Sequence, residues 1–364
     1  MKKVLVLVLA LVLAFSFAAC GGGGGGGGGD LVAIESMFAG PITENATAFE
    51  YPTNQAGTPA DAPAALAAGT YKVGVCIYKF DDTFMTNYRN EIEAYFASLE
   101  TDDVKFDVTV ADGKNDMAEQ STQIDGFIAD KVDVLIVNLV MSSSAGDVTA
   151  KAKAAGIPVV FINREPAADD TQAWDYDGKV CYVGADARQS GTIQGEIIVN
   201  LPDKGDIDGD GVVRYITLVG DAENVDAQYR TIFSIKALDD AGIESMRLFE
   251  QRGDWDRAKG QELASNAIAQ FGDKIDVIFA NNDDMALGAI EACKTAGLVV
   301  GVDIYIVGVD ATAPAKDAIA AGDLTGTVLN DHIGQSHTAV NAAILAINGD
   351  ALMKYYIVDY VAVT

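Results

Sequence analysis

Histidine, cysteine and positive charge are all scarce in this chain. Its two histidines, His332 and His337, fit no metal-ligand or catalytic-triad spacing. Both fall on a stretch that reads as helix after Asn330, where packing or surface roles suffice. Of the four cysteines, Cys76, Cys181 and Cys293 follow Cys20, an odd number that excludes a closed disulfide framework. Cys76 and Cys181 lie in strand-like runs and Cys293 in a helix-like one, so buried thiols are expected. Lys and Arg together number 25 against 53 Asp and Glu, a formal charge of −28. Such acidity argues against nucleic acid or an anionic lipid surface as partner. No G-x-S-x-G, H-E-x-x-H or P-loop is present, so no activated nucleophile or phosphate cradle is visible. Carboxylates are plentiful, and composition alone leaves a glycosidase open.

A long apolar run is also missing. Val4 to Phe17 is apolar except for Ser16, too short for a comfortable membrane span. It follows Met1-Lys2-Lys3 and leads into Ala18-Ala19-Cys20, the layout of a secretory signal. The cysteine after two small residues resembles a bacterial lipobox, which makes Cys20 the expected lipidation site and 1–20 the signal. Gly21 to Gly29 is an unbroken glycine run, which reads as a flexible tether. The segment up to residue 70 is rich in Ala, Pro, Thr and Gly without a sustained period, and 21–70 is expected to be tether and stalk. The expected membrane contact is the lipid anchor alone.

From Tyr71 onward, short β-branched runs alternate with longer amphipathic ones. Strands are predicted at Lys72–Tyr78, Val104–Val110, Val132–Asn138, Pro158–Asn163, Val180–Val183, Val213–Val219, Ser245–Glu250, Asp276–Ala280, Ile304–Val309 and Gly326–Leu329. Strands apolar on both faces with helices between them predict an α/β fold with covered parallel sheets. Ten strands over this length suggest two Rossmann-like sheets. Polar residues recur at the carboxyl ends: Tyr78 to Asp82, Asn138, Asn282 and Asp283, Asp310, and Asn330. Ligands of open α/β sheets bind there. Any one of these residues is as readily a helix cap; five at the same topological place favour a site.

These blocks also resemble the periplasmic galactose/glucose-binding proteins of ABC sugar importers, type I periplasmic binding proteins. The resemblance runs from about Tyr71 onward. It rests on Ile77-Tyr78-Lys79-Phe80-Asp81-Asp82-Thr83-Phe84-Met85, Ile136-Val137-Asn138-Leu139-Val140, Ala280-Asn281-Asn282-Asp283, Gly308-Val309-Asp310 and Gly326-Thr327-Val328-Leu329-Asn330-Asp331. It implies two lobes joined by a three-crossing hinge, the first crossing near Asn163 to Pro166, the second after Asn330 and the third near Lys354. The N-terminal lobe would then be 71–163 plus 331–353, and the C-terminal lobe 164–330 plus 354–364. The resemblance implies Phe84 and Trp255 on the two faces of a hexose, with Asp82, Asn138, Asp226, Arg230, Asn282, Asp310 and Asn330 reading its hydroxyls and Tyr78 in support. Planar Asp, Asn and Arg groups suit hydroxyls that both donate and accept, and aromatic rings suit apolar sugar faces. Asn224 stands where that family usually has a histidine, which puts its contact with the hydroxymethyl group in doubt. D-galactose and D-glucose are both compatible with Asp82. The implied protein is a monomer that delivers sugar to ABC importer membrane subunits, or presents it to a chemoreceptor or sensor kinase. Ribose- or autoinducer-type ligands are the alternative within the binding class. A DNA-binding regulator with the same lobes would need a helix pair where this chain has a signal and a tether.

A second motif is Asp206-Ile207-Asp208-Gly209-Asp210-Gly211-Val212, which fits the first half of an EF-hand loop. The resemblance implies structural Ca2+ bound by Asp206, Asp208, Asp210, the Val212 carbonyl and the distant Asp276. Arg214, at position nine, opposes a cation.

Overall fold

The computed structural model describes residues 65–167, 170–221 and 223–364. Cys20, the glycine run and most of the expected stalk lie outside the described residues. Every predicted strand forms, and the strands sort into two parallel arrays. In the first, β1 (Gly69–Ile77), β2 (Val104–Asp112), β3 (Val134–Val137), β4 (Val159–Ile162), β5 (Val180–Gly184) and β11 (Tyr355–Ile357) lie in the order β11-β5-β4-β3-β1-β2. In the second, β6 (Val213–Val219), β7 (Ser245–Arg252), β8 (Val277–Ala280) and β9 (Tyr305–Val307) lie in the order β7-β6-β8-β9. Bridges Val307↔Gly326 and Asp310↔Leu329 extend it to β10 (Thr327–Leu329), which pairs antiparallel with β12 (Val361–Val363).

All four residues of β3, of β4 and of β8 are buried, because helices cover both faces of each sheet. Around the first sheet are α1 (Thr83–Ser98), α2 (Met117–Ala129), α3 (Ala145–Ala155) and α9 (His332–Asn348). Around the second are α4 (Ala187–Val199), α5 (Val225–Asp240), α6 (Arg257–Phe271), α7 (Asp283–Ala296) and α8 (Ala313–Ala321). Each sheet therefore has an apolar core on both sides. Glycine allows a close helix pair: a Cβ on Gly195 of α4 would stand 2.3 Å from the Ser234 carbonyl oxygen of α5. That approach sets where α5 presents Arg230.

The lobe boundaries differ from those expected. β5 pairs in parallel with β4, and β11 with β5, so both belong to the first sheet. The chain passes to the second array at Ala185–Asp186, not near Asn163 to Pro166. The last crossing comes at 358–359, after β11, rather than at Lys354. The Arg164-Glu165-Pro166 run is a loop within the first lobe, and parallel pairing brings the chain back across it. β1 starts at Gly69, paired with Val104, so the stalk ends before residue 70. β11 and β12 were not foreseen, since three-residue strands carry too little periodicity to read. His337 stacks on Tyr95 at 3.8 Å and bonds Glu91 at 2.7 Å, a packing role. Cys76, Cys181 and Cys293 are buried free thiols, and burial raises all three pKa values. Among the described residues, no helix is long and apolar enough to cross a membrane.

Candidate ligand-binding site

The carboxyl ends of both sheets face one small cavity. Tyr78, Asp82, Phe84, Met85, Asn163 and Arg164 line it from the first lobe, and Asn224, Asp226, Arg230, Trp255, Asn282, Asp310 and Asn330 from the second array and its exit. Ten of the eleven residues expected at the site are in this lining.

Local structure explains why they converge. Asp82 caps α1: its Oδ1 accepts from the Met85 amide at 2.8 Å and its Oδ2 from the Tyr78 hydroxyl at 2.5 Å. Asn224 caps α5 by accepting from the Asp226 amide at 3.0 Å. Asn282 caps α7 through the Met285 amide at 3.0 Å, and its amide nitrogen donates to the Trp255 carbonyl at 3.2 Å. The cap and site readings are therefore both true of the same side chains. Phe84 and Trp255 approach the cavity from opposite lobes, each almost wholly buried. Trp255 sits at φ 65°, Asn163 at 58° and Asp310 at 121°, positions that L-residues avoid.

Charge is concentrated here. The Arg230 guanidinium donates to the Asn281 carbonyl at 2.8 Å and the Tyr360 hydroxyl at 3.0 Å, and stands 3.7 Å from Asp226. Its Nε has no protein partner, and neither does Nη2 of Arg164. Unsatisfied buried donors on two lining arginines call for an acceptor. Burial pushes the Asp226 carboxyl up to about 6, against the pull of Arg230 and Arg164. Burial likewise lifts Asp310 well above the carboxylate range; Arg230 opposes the shift, while Asp283 and Asp82 add to it. Asn330 donates to Asp310 at 3.3 Å and accepts from Gln335 at 2.6 Å.

Asn138 departs from expectation. It is wholly buried and does not line the cavity. Its Oδ1 accepts from the Tyr78 amide at 3.2 Å, and its Nδ2 donates to the Ile162 carbonyl and to Asn163 Oδ1, each at 3.1 Å. Asn138 thus ties the ends of β1, β3 and β4 one layer below the site. Arg164, Asn163 and Met85 were missed. Arg164 is 2% exposed, lies 3.8 Å over the Tyr78 ring, donates to the Val140 carbonyl at 2.7 Å and pairs with Asp221 of the second lobe at 3.3 Å. Its place directly after a strand was the available signal. A second bond between the lobes runs from the Thr83 hydroxyl to Asp284 at 2.5 Å.

The acidic loop lies at the opposite end of the second sheet, before β6. Asp206, Asp208 and Asp210 bring one oxygen each within 4.8 Å of one another. Asp276 does not join them; its Oδ2 accepts from the Arg214 amide at 2.7 Å. The Val212 carbonyl accepts from Arg214 Nη1 at 3.4 Å. Calcium takes about six to eight oxygens. With the Arg214 guanidinium set against Asp208, Asp210 and the Val212 carbonyl, and its amide on Asp276, the donor set does not fit the ion.

Residues 73–351 match the periplasmic binding protein domain family. The D-galactose/methyl-galactoside binding periplasmic protein of Haemophilus influenzae is 35% identical over 277 residues, 75% of this chain and 80% of that one. A putative rhizopine-binding protein of Rhizobium meliloti is 35% identical over 301 residues, 82% of this chain and 91% of that one. Among solved structures, an ABC transporter solute-binding protein from Bacillus halodurans with bound myo-inositol is 30% identical, with a TM-score of 0.71, covering 82% of this chain and 96% of that one. The chain belongs to the periplasmic binding protein family, among relatives that bind sugars and polyols for ABC transporters.

Proposed function

We propose that this protein is a lipid-anchored extracytoplasmic receptor that closes around one six-membered-ring polyol, first D-galactose or D-glucose, and delivers it to ABC importer membrane subunits. The observation that carries the reading is one small cavity bounded by an aromatic ring from each lobe and rimmed by Asp, Asn and Arg. A hexose has about twelve heavy atoms, and micromolar binding asks roughly −0.7 kcal/mol of each, within reach of an enclosed site.

A cyclitol such as myo-inositol is the second reading. The Asn224 oxygen accepts from the α5 amide, which ties the side chain to the helix end rather than to a hydroxymethyl group. A cyclitol has no hydroxymethyl group to read, and one relative, the Bacillus halodurans solute-binding protein, holds myo-inositol. Titration calorimetry with D-galactose, D-glucose, myo-inositol and D-ribose separates the cases. Heat with a hexose supports the first reading and heat with myo-inositol alone the second. Binding of ribose alone sinks both. Trp255→Ala is expected to weaken the preferred ligand at least tenfold; unchanged affinity removes Trp255 from the site. For the anchor, palmitate labelling of intact cells is expected to disappear with Cys20→Ala.

A further inference from the structure

We propose that the guanidinium of Arg214 is the resident cation of the Asp206–Val212 loop, so that this loop closes without calcium or another divalent ion. The loop already has the turn that a cation site needs. Gly209 and Gly211 take φ of 73° and 94°, values that favour glycine. Asp206 accepts from the Gly209 amide at 3.0 Å and from the Gly211 amide at 2.9 Å. Asp208 accepts from the Asp210 amide at 3.1 Å, and Asp210 from the Val212 amide at 3.0 Å.

Positions three, five and seven of the loop are where a cation would draw oxygens together. Arg214 engages all three. Its Nη1 stands 3.6 Å from Asp208 Oδ2 and 3.4 Å from the Val212 carbonyl oxygen, and its Nη2 pairs with Asp210 Oδ2. A planar guanidinium can span several oxygens at once, which a Lys ammonium on the same stem does less well. The stem is anchored. Arg214 is the second residue of β6; its amide donates to the Asp276 carboxylate at 2.7 Å and its carbonyl accepts from the Asp276 amide at 2.8 Å. The carboxylate that would complete a metal shell instead holds the backbone of the residue that replaces the metal. The charge left on the loop faces water, since Asp208 and Asp210 side chains are 51% and 41% exposed.

Thermal unfolding and calcium calorimetry on the whole protein test this, with excess EDTA or excess calcium. The native protein is expected to melt at one temperature in both and to give no calcium heat. Arg214→Gln, which removes the cation and adds an oxygen ligand, is expected to melt lower in EDTA, to gain about 3 °C or more with calcium, and to bind it in the calorimeter. Asp210→Asn in the native background is expected to lower the melting point equally with and without calcium. A calcium-dependent rise in the native protein overturns the proposal. So does an Arg214→Gln protein that ignores calcium, whether or not it is destabilised.

Discussion

Replacing Asp226 with Asn isolates what it takes to keep a carboxylate inside the closed site. Asp226 is 6% exposed, and its nearest cation, Arg230, lies 3.7 Å away. Burial raises its pKa from 3.8 to about 6 despite that cation. Below about pH 3 the group is neutral in both folded and unfolded chains and contributes no pH-dependent penalty. As pH rises from about 3 to 6 the unfolded chain ionises first, so folding loses stability until the folded group ionises as well. Past that point the penalty is constant, about 3 kcal/mol at about 1.4 kcal/mol per pH unit. Asn keeps the shape and cannot ionise. Asp226→Asn is therefore expected to stabilise the ligand-free protein by up to about 3 kcal/mol near pH 7.5, but by under about 1 kcal/mol near pH 4. The other buried carboxylates, Asp283 and Asp310, are present in both proteins and cancel. Urea unfolding at the two pH values measures the difference. A stabilisation of equal size at both, or a loss at pH 7.5, refutes the reasoning. Affinity should move the other way, falling at least tenfold, because the carboxylate retained at this expense is the one that accepts from the ligand.

Two further substitutions probe the geometry. A Cβ on Gly220 would stand 2.3 Å from the Trp255 ring; Gly220→Ala is expected to displace that ring and weaken binding by calorimetry as much as Trp255→Ala, with circular dichroism unchanged. Thr83→Val removes the 2.5 Å bond to Asp284 between the lobes; affinity is expected to fall several-fold through faster release in stopped-flow, with little effect on the melting point, and unchanged release would show that the bond does not hold the lobes together.

The sheets were legible because their strands are apolar on both faces, a pattern that only covered parallel strands sustain. Most of the site was legible because it sits where such strands end. Asn138 shares that position yet serves the layer below, and nothing in its neighbours' identity distinguishes the layer. Arg164 was hidden for a related reason: its partners Val140, Tyr78 and Asp221 are 24, 86 and 57 residues away, so only the folded loop reveals the constellation. The lobe boundary was misplaced because β5 looks the same in sequence whether it pairs with β4 or with the second sheet.

The capping residues carry the sharpest test of how this site is built. Asp82, Asn224 and Asn282 each accept from a helix amide with one atom and line the cavity with the rest. An alanine at any of them removes both roles, so a loss of binding could reflect a loosened helix at about 1 kcal/mol per cap. Exchanging acid and amide separates the two. Asp82→Asn keeps an oxygen for the Met85 amide but replaces the other acceptor, which now meets the Tyr78 hydroxyl. That hydroxyl can turn from donor to acceptor, so the cap and the pair both survive. What is lost is the capacity of Asp82 to accept from a ligand hydroxyl. Asp82→Asn is expected to melt within a few degrees of the native protein and to bind at least tenfold more weakly, whereas Asp82→Ala loses both stability and affinity. Equal binding by Asp82→Asn and the native protein would leave Asp82 as a cap alone and move recognition to Asp226, Asp310 and the two arginines.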